Sequence, residues 1–131
     1  CKYAIPAMLE HGGGSIVNIS SMSGVRGVAY SVPYAVSKAG VIHLTKVAAA
    51  QYTHQGVRVN CIAPGGIDTP QMRGSTASAE TFQERNVDHP MGRVGRPDEV
   101  ANLITWLTSE EASYVSGSTY IIDGGAWALA T

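Results

Sequence analysis

Two runs decide how this chain is read: Ser15-Ile16-Val17-Asn18-Ile19-Ser20-Ser21, and Val57-Arg58-Val59-Asn60-Cys61-Ile62-Ala63-Pro64-Gly65-Gly66. Each is short, rich in β-branched residues, too apolar for clean alternation, and stopped by serines or by Pro-Gly. Such runs suit strands of a parallel sheet covered on both faces. Between them, residues 32–55 form the longest periodic stretch, with Ala35, Ala39, Ile42, Lys46 and Ala49/Ala50 at helical spacing. Gly56 closes it as a C-terminal glycine. Upstream, Ile5, Met8 and Leu9 predict a helix within residues 2–11, ended by Gly12-Gly13-Gly14. Pro6 is expected to kink that helix or delay its start. Downstream, residues 68–96 are irregular, with a candidate short helix over 77–86. Pro97-Asp98-Glu99 then opens a helix whose apolar face is Val100, Leu103, Ile104 and Leu107. Ser118-Thr119-Tyr120-Ile121-Ile122 is a third strand, ended by Asp123-Gly124-Gly125. Strand, helix, strand, long excursion, helix and strand is βαβ grammar. It predicts an α/β fold with a parallel sheet and right-handed crossovers.

Composition agrees with a packed α/β chain. Of 131 residues, 44% are hydrophobic and 15% charged, against about 25% charged in an average domain. That balance excludes intrinsic disorder. The 15 glycines have no triplet period and cluster in short groups, so they read as turns rather than collagen or linker. Nine Lys and Arg against ten Asp and Glu give a net charge of −1. The basic residues form no stripe that could neutralise phosphates, so a nucleic-acid partner is not expected. No apolar run approaches the ~20 residues of a membrane span, and the N-terminal residues lack the basic, apolar and cleavage regions of a signal peptide, so none is expected. Cys1 and Cys61 both sit in apolar settings and are expected to be buried free thiols in a reducing compartment. These features together predict a cytoplasmic protein.

The polar residues gather where a parallel sheet binds its ligands, beyond the carboxyl ends of the strands. Ser20, Ser21, Ser23 and Gly24 follow the first strand, and Pro64 through Thr69 follow the second. On the helix between them, Tyr34 and Lys38 lie four residues apart and project from one face. A free tyrosine has a pKa near ~10, too high for a good base at neutral pH. A nearby ammonium favours the phenolate, so the pair makes a phenol able to pass a proton. A hydroxyl at the strand tip could hold the same substrate oxygen. Tyr-x-x-x-Lys alone arises by chance, and Ser20 or Ser23 could take the serine role in place of Ser21. Tyr30 reads as loop packing or pocket lining, and Trp106 and Trp127 as core or subunit contacts. His43 and His54 are eleven residues apart on one helix, about 16 Å at 1.5 Å per residue, too far to share a metal. No metal site is predicted. The sequence has neither a Gly-x-Ser-x-Gly elbow nor a Gly-x-x-x-x-Gly-Lys loop.

Taken in order along nearly the whole chain, these motifs resemble the short-chain dehydrogenase/reductase family. Asn18-Ile19-Ser20-Ser21 with Gly24 resembles its catalytic-serine strand, and Tyr34-Ala35-Val36-Ser37-Lys38 its active-site helix. Val59-Asn60 running into Pro64-Gly65-Gly66-Ile67-Asp68-Thr69 resembles its Asn-x-x-x-Pro-Gly-x-Ile-x-Thr segment. Gly95 through Ala101, and Gly117 through Gly125, resemble its last helix and last strand.

The resemblance implies that Tyr34 is the acid/base, that Ser21 orients the substrate oxygen, and that Lys38 tunes Tyr34 and binds the nicotinamide ribose. It implies that Ile67 and Thr69 meet the nicotinamide carboxamide, with Pro64 and Gly65 shaping the pocket floor. The implied cofactor is NAD or NADP, and the implied substrate a small-molecule alcohol or carbonyl. Residues 71–90 are the expected substrate lid. A homo-oligomer, dimer or tetramer, is the expected assembly.

A dinucleotide fold also needs a glycine-rich turn after its first strand, and no such Gly pattern occurs here. Residues 1–131 are therefore expected to be a partial NAD(P)-binding Rossmann-like domain. They would form the C-terminal, catalytic half of a doubly wound parallel sheet, inactive alone and prone to self-association through the edge of its first strand. The alternative expectation is a non-catalytic remnant or interaction module that binds no cofactor.

Overall fold

The structure, a computed structural model, describes residues 1–29, 31–74 and 90–129. Helix α1 (Ala4–Glu10) leads into strand β1 (Gly14–Ile19). Helix α2 (Val32–Tyr52) follows, then strand β2 (Val57–Pro64) and the short helix α3 (Pro70–Gly74). Helix α4 (Pro97–Thr108) and strand β3 (Thr119–Ile122) complete the order. The three strands form one sheet in the order β1-β2-β3, parallel throughout. The register runs from Gly14 opposite Val57 to Ile19 opposite Ile62, and from Cys61 opposite Thr119 to Pro64 opposite Ile122. This is the expected Rossmann-like α/β arrangement.

Strand alternation sends successive side chains of β2 to opposite faces. Val57 and Val59 pack with Ile5 of α1 and with Ala48 and Ala49 of α2, and Met8, Leu9, Ile16 and Tyr52 border that cluster. Arg58 points the other way, toward the end of α4. Its guanidinium donates to the carbonyls of Leu107 (2.8 Å), Ser109 (3.0 Å) and Val115 (3.3 Å). A cation there satisfies carbonyls that the helix cannot pair and meets the negative end of its dipole. Asn60, fully buried, donates to the Val115 carbonyl and accepts from the Ser118 backbone N–H. It thereby aims the chain into β3.

At the amino ends of β1 and β2 the backbone itself makes the contact. The Gly14 N–H donates to the Gly56 carbonyl at 3.0 Å. A Cβ on Gly13 would lie 2.5 Å from that same oxygen. Gly13 and Gly56 also have φ of 125° and 85°, which glycine adopts without steric cost.

Four expectations need correction. Helix α1 starts at Ala4, so Pro6 falls in its first turn, where its missing N–H has no helical partner to lose and does not cost the expected hydrogen bond. Of the expected α2 stripe Ala35, Ala39, Ile42, Lys46 and Ala49/Ala50, Ala49 is buried and Ala35 and Ile42 are half-buried, but Ala39, Lys46 and Ala50 are exposed; the fully buried face also takes in Thr45 and Ala48. Apolar residues occur all round this helix, with Val36, Leu44 and Val47 exposed, so spacing alone could not choose the face. Cys61 is buried as expected, within β2, but Cys1, ahead of α1, is exposed. Helix α3 was not foreseen, because five residues carry no periodicity. Tyr30, the candidate helix 77–86 and most of the lid 71–90 lie outside the described residues.

Candidate active site

The carboxyl ends of all three strands open on a cavity of about 810 Å³, within the range of roughly 300–1,000 Å³ usual for small-molecule sites. Ser21, Tyr34 and Lys38 line it together with Pro64, Gly65, Ile67 and Thr69. The structure thus brings every site residue named from the sequence to one cavity. Trp127, expected in a core or a subunit contact, lines the same cavity and is 41% exposed. Trp106 instead meets the ring of Tyr120 edge-on, 6.3 Å between centroids.

The strand tip and α2 are tied to each other at one residue. The Ser20 hydroxyl, nearly fully buried, donates to the Lys38 carbonyl at 2.7 Å. The Lys38 ammonium donates back to the Ile19 carbonyl at 3.2 Å. Gly24 rests on the helix backbone at the same place: a Cβ there would lie 2.6 Å from the Lys38 carbonyl carbon. Ser20 therefore serves as a tether. Ser21, one residue on, turns into the cavity, its oxygen accepting the Ser23 N–H at 3.1 Å. That bond leaves the Ser21 hydroxyl hydrogen available to a ligand oxygen. The Lys38 Nζ stands 5.6 Å from the centre of the Tyr34 ring, within cation–π range.

The far wall is the segment leaving β2. The Gly65 N–H donates to the Ile122 carbonyl at 2.9 Å, and a Cβ on Gly65 would meet the Asp123 Cβ at 2.6 Å. The Asp123 carboxylate accepts the backbone N–H groups of Gly125 (2.9 Å) and Trp127 (2.7 Å), which curls the chain so that Ala126 and Trp127 face the cavity. Thr69 caps α3, its hydroxyl accepting the Met72 N–H at 3.2 Å. Asp68 and Arg73 form a two-pronged ion pair at 2.6 and 2.7 Å. The bound guanidinium lowers the Asp68 pKa below the ordinary carboxylate value. Within β2, burial raises the Cys61 thiol pKa above its ordinary value, which favours the protonated thiol. Among the described residues no three His, Cys, Asp or Glu side chains converge as metal ligands. No described helix is long and apolar enough to cross a membrane.

This sheet and site define the class of protein. The family profile described as "Enoyl-(Acyl carrier protein) reductase" matches residues 1–126, and the chain belongs to the short-chain dehydrogenase/reductase family. Among its curated relatives, the 2-keto-3-deoxy-L-fuconate dehydrogenase of Xanthomonas campestris is 47% identical over 134 residues, covering 95% of this chain and 44% of that protein. Levodione reductase superposes with a TM-score of 0.92 at 35% identity, over 98% of this chain and 52% of its own. ElxO, solved with NADP bound, superposes with a TM-score of 0.88 at 37% identity, over 97% and 52%. The chain spans about half the length of the relatives it matches.

Proposed function

We propose that this chain is the catalytic half of an NAD(P)-dependent oxidoreductase that interconverts a carbonyl and a secondary alcohol. The observation carrying the reading is the single cavity that gathers Ser21, Tyr34 and Lys38 against the 64–69 segment, with Ser20 engaged elsewhere. The residues present fit the nicotinamide end of such a cofactor. Lys38 would hold the ribose, Ile67 and Thr69 the carboxamide, and Pro64 and Gly65 the floor. When bound, the nicotinamide supplies or accepts the hydride.

The chain's own residues manage the proton and the developing charge. In reduction, Ser21 donates a hydrogen bond to the carbonyl oxygen and holds it beside Tyr34. As negative charge builds on that oxygen, the Tyr34 hydroxyl releases its proton to it, completing the alcohol. The Lys38 cation stabilises the phenolate left behind. In oxidation the phenolate takes the alcohol proton while Ser21 keeps the oxygen in place.

The test uses the full natural chain that carries these residues. Tyr34→Phe is expected to abolish turnover of NAD(P)H while nucleotide binding, read by enhancement of its fluorescence, persists. Retained turnover in that variant overturns the assignment. An active site without cofactor binding, the non-catalytic alternative, would show no enhancement even in the unsubstituted protein.

A further inference from the structure

Gly95 lies far from Ile67 in sequence, yet the two form a parallel bridge. The Gly95 N–H donates to the Gly66 carbonyl at 2.9 Å, and the Asp68 N–H donates to the Gly95 carbonyl at 2.8 Å. Ile67 is thus held between two backbone bonds to one residue. The approach is close: a Cβ on Gly95 would lie 2.7 Å from the Ile67 Cδ1.

A clasp secures Gly95 from its other side. Arg93 pairs with Glu99 through two hydrogen bonds of 2.9 and 2.7 Å, and donates to the Val94 carbonyl at 3.0 Å. Glu99 also accepts the Arg96 backbone N–H at 2.7 Å. Residues 93–96 are therefore fastened to the first turn of α4 on both flanks of Gly95, and Val94 is buried between them. The pairing is two-pronged, which fixes orientation as well as distance.

We propose that Gly95, held by the Arg93–Glu99 clasp, is a positioning residue: it sets where Ile67 stands and so how tightly the site grips the nicotinamide end of the cofactor. The inference rests on the oxidoreductase reading above. Gly95 touches no cofactor itself; it acts through Ile67 and Asp68.

Gly95→Ala in the full natural chain tests it. The new methyl is too close only to the far end of the Ile67 side chain; the Gly66 carbonyl oxygen at 3.6 Å and Glu99 Oε2 at 3.8 Å are at ordinary contact, so the fold can absorb it while Ile67 moves. Affinity for NADPH or NADH, read by fluorescence, is expected to fall roughly tenfold. Affinity for ADP-ribose and its 2′-phosphate, which lack the nicotinamide, should stay within about twofold. Removing the obstructing carbon with Ile67→Val in the Gly95→Ala background should recover part of the lost affinity, as expected for neighbours in contact. Equal losses for NAD(P)H and ADP-ribose would mean a general structural defect and overturn the proposal. Unchanged NAD(P)H affinity would overturn it too, while leaving the oxidoreductase reading standing. Absence of NAD(P)H binding by the unsubstituted protein would overturn both.

Discussion

Gly24→Ala tests the junction between strand tip and catalytic helix most directly. Its Cβ would stand 2.6 Å from the Lys38 carbonyl carbon, 2.8 Å from the Ala39 nitrogen and 2.9 Å from the Lys38 oxygen. All three are backbone atoms inside α2, so no side chain can swing aside. Bringing 2.6 Å to an ordinary contact of 3.4 Å takes a displacement of 3.4 − 2.6 = 0.8 Å. The same displacement would stretch the Ser20–Lys38 bond from 2.7 Å to about 3.5 Å, beyond useful hydrogen-bond length. Overpacking typically costs about 1–3 kcal/mol, and the lost bond adds about 1 kcal/mol. Because Ser21 rides on the displaced turn, the substrate oxygen would be held off line, and kcat should fall roughly tenfold to a hundredfold. Urea unfolding and steady-state kinetics of the full natural chain measure the two effects. Gly27→Ala, whose Cβ meets nothing within 4 Å, is the control from the same loop and should be neutral. If Gly24→Ala leaves kcat within about twofold and stability within about 0.5 kcal/mol, the tether reasoning is wrong.

Two further predictions concern stability. Asn60→Leu removes both bonds that aim the chain into β3, leaving the Ser118 N–H without its Asn60 partner and the Val115 carbonyl with only the Arg58 guanidinium. It should destabilise by about 2–4 kcal/mol, and an unchanged urea midpoint would refute the bridging role. Glu99 titrates well below its ordinary 4.5, at about 2, because the Arg93 side chain and then the Arg96 N–H favour its charged form. A folded-state value below the unfolded one means that its stabilisation is present above pH 4.5 and lost as pH falls toward about 2. Glu99→Gln should therefore melt below the unsubstituted protein at neutral pH, and the two should converge as pH drops through that window. A constant gap across the whole range would contradict the pairing.

Much of the fold and site was legible because it is local. Tyr34 and Lys38 need only helical spacing to share a face, and β-branched runs stopped by serines or Pro-Gly mark parallel strands and their ligand ends. The rest depends on tertiary packing. Spacing favours Ser21 over Ser20 and Ser23, and all three line the cavity; only the neighbouring helix shows that the Ser20 hydroxyl is spent on the Lys38 carbonyl. The buried side of α2 was legible only in part, at Ala49, because Thr45, a polar residue, occupies its centre, accepting from Asn18 and donating to the Val41 carbonyl. Trp127 reaches the cavity because Asp123 curls the following chain, a local turn whose direction no periodicity reveals. The contact between Gly95 and Ile67 crosses two elements, and a Gly-Arg-Pro run signals only a turn and a helix start.

The glycine contact at the opposite end of the sheet has a mechanical consequence. Where Gly13 and Gly14 meet Gly56, no side chain lies between the strands to yield, and separating them would break the Gly14–Gly56 hydrogen bond. The pairing continues to the other end, where the Ser20 N–H donates to the Ile62 carbonyl at 2.7 Å and the Gly65 N–H to the Ile122 carbonyl at 2.9 Å, so the strand ends that carry Ser21 and Gly65 are held at a fixed spacing from both ends of the sheet.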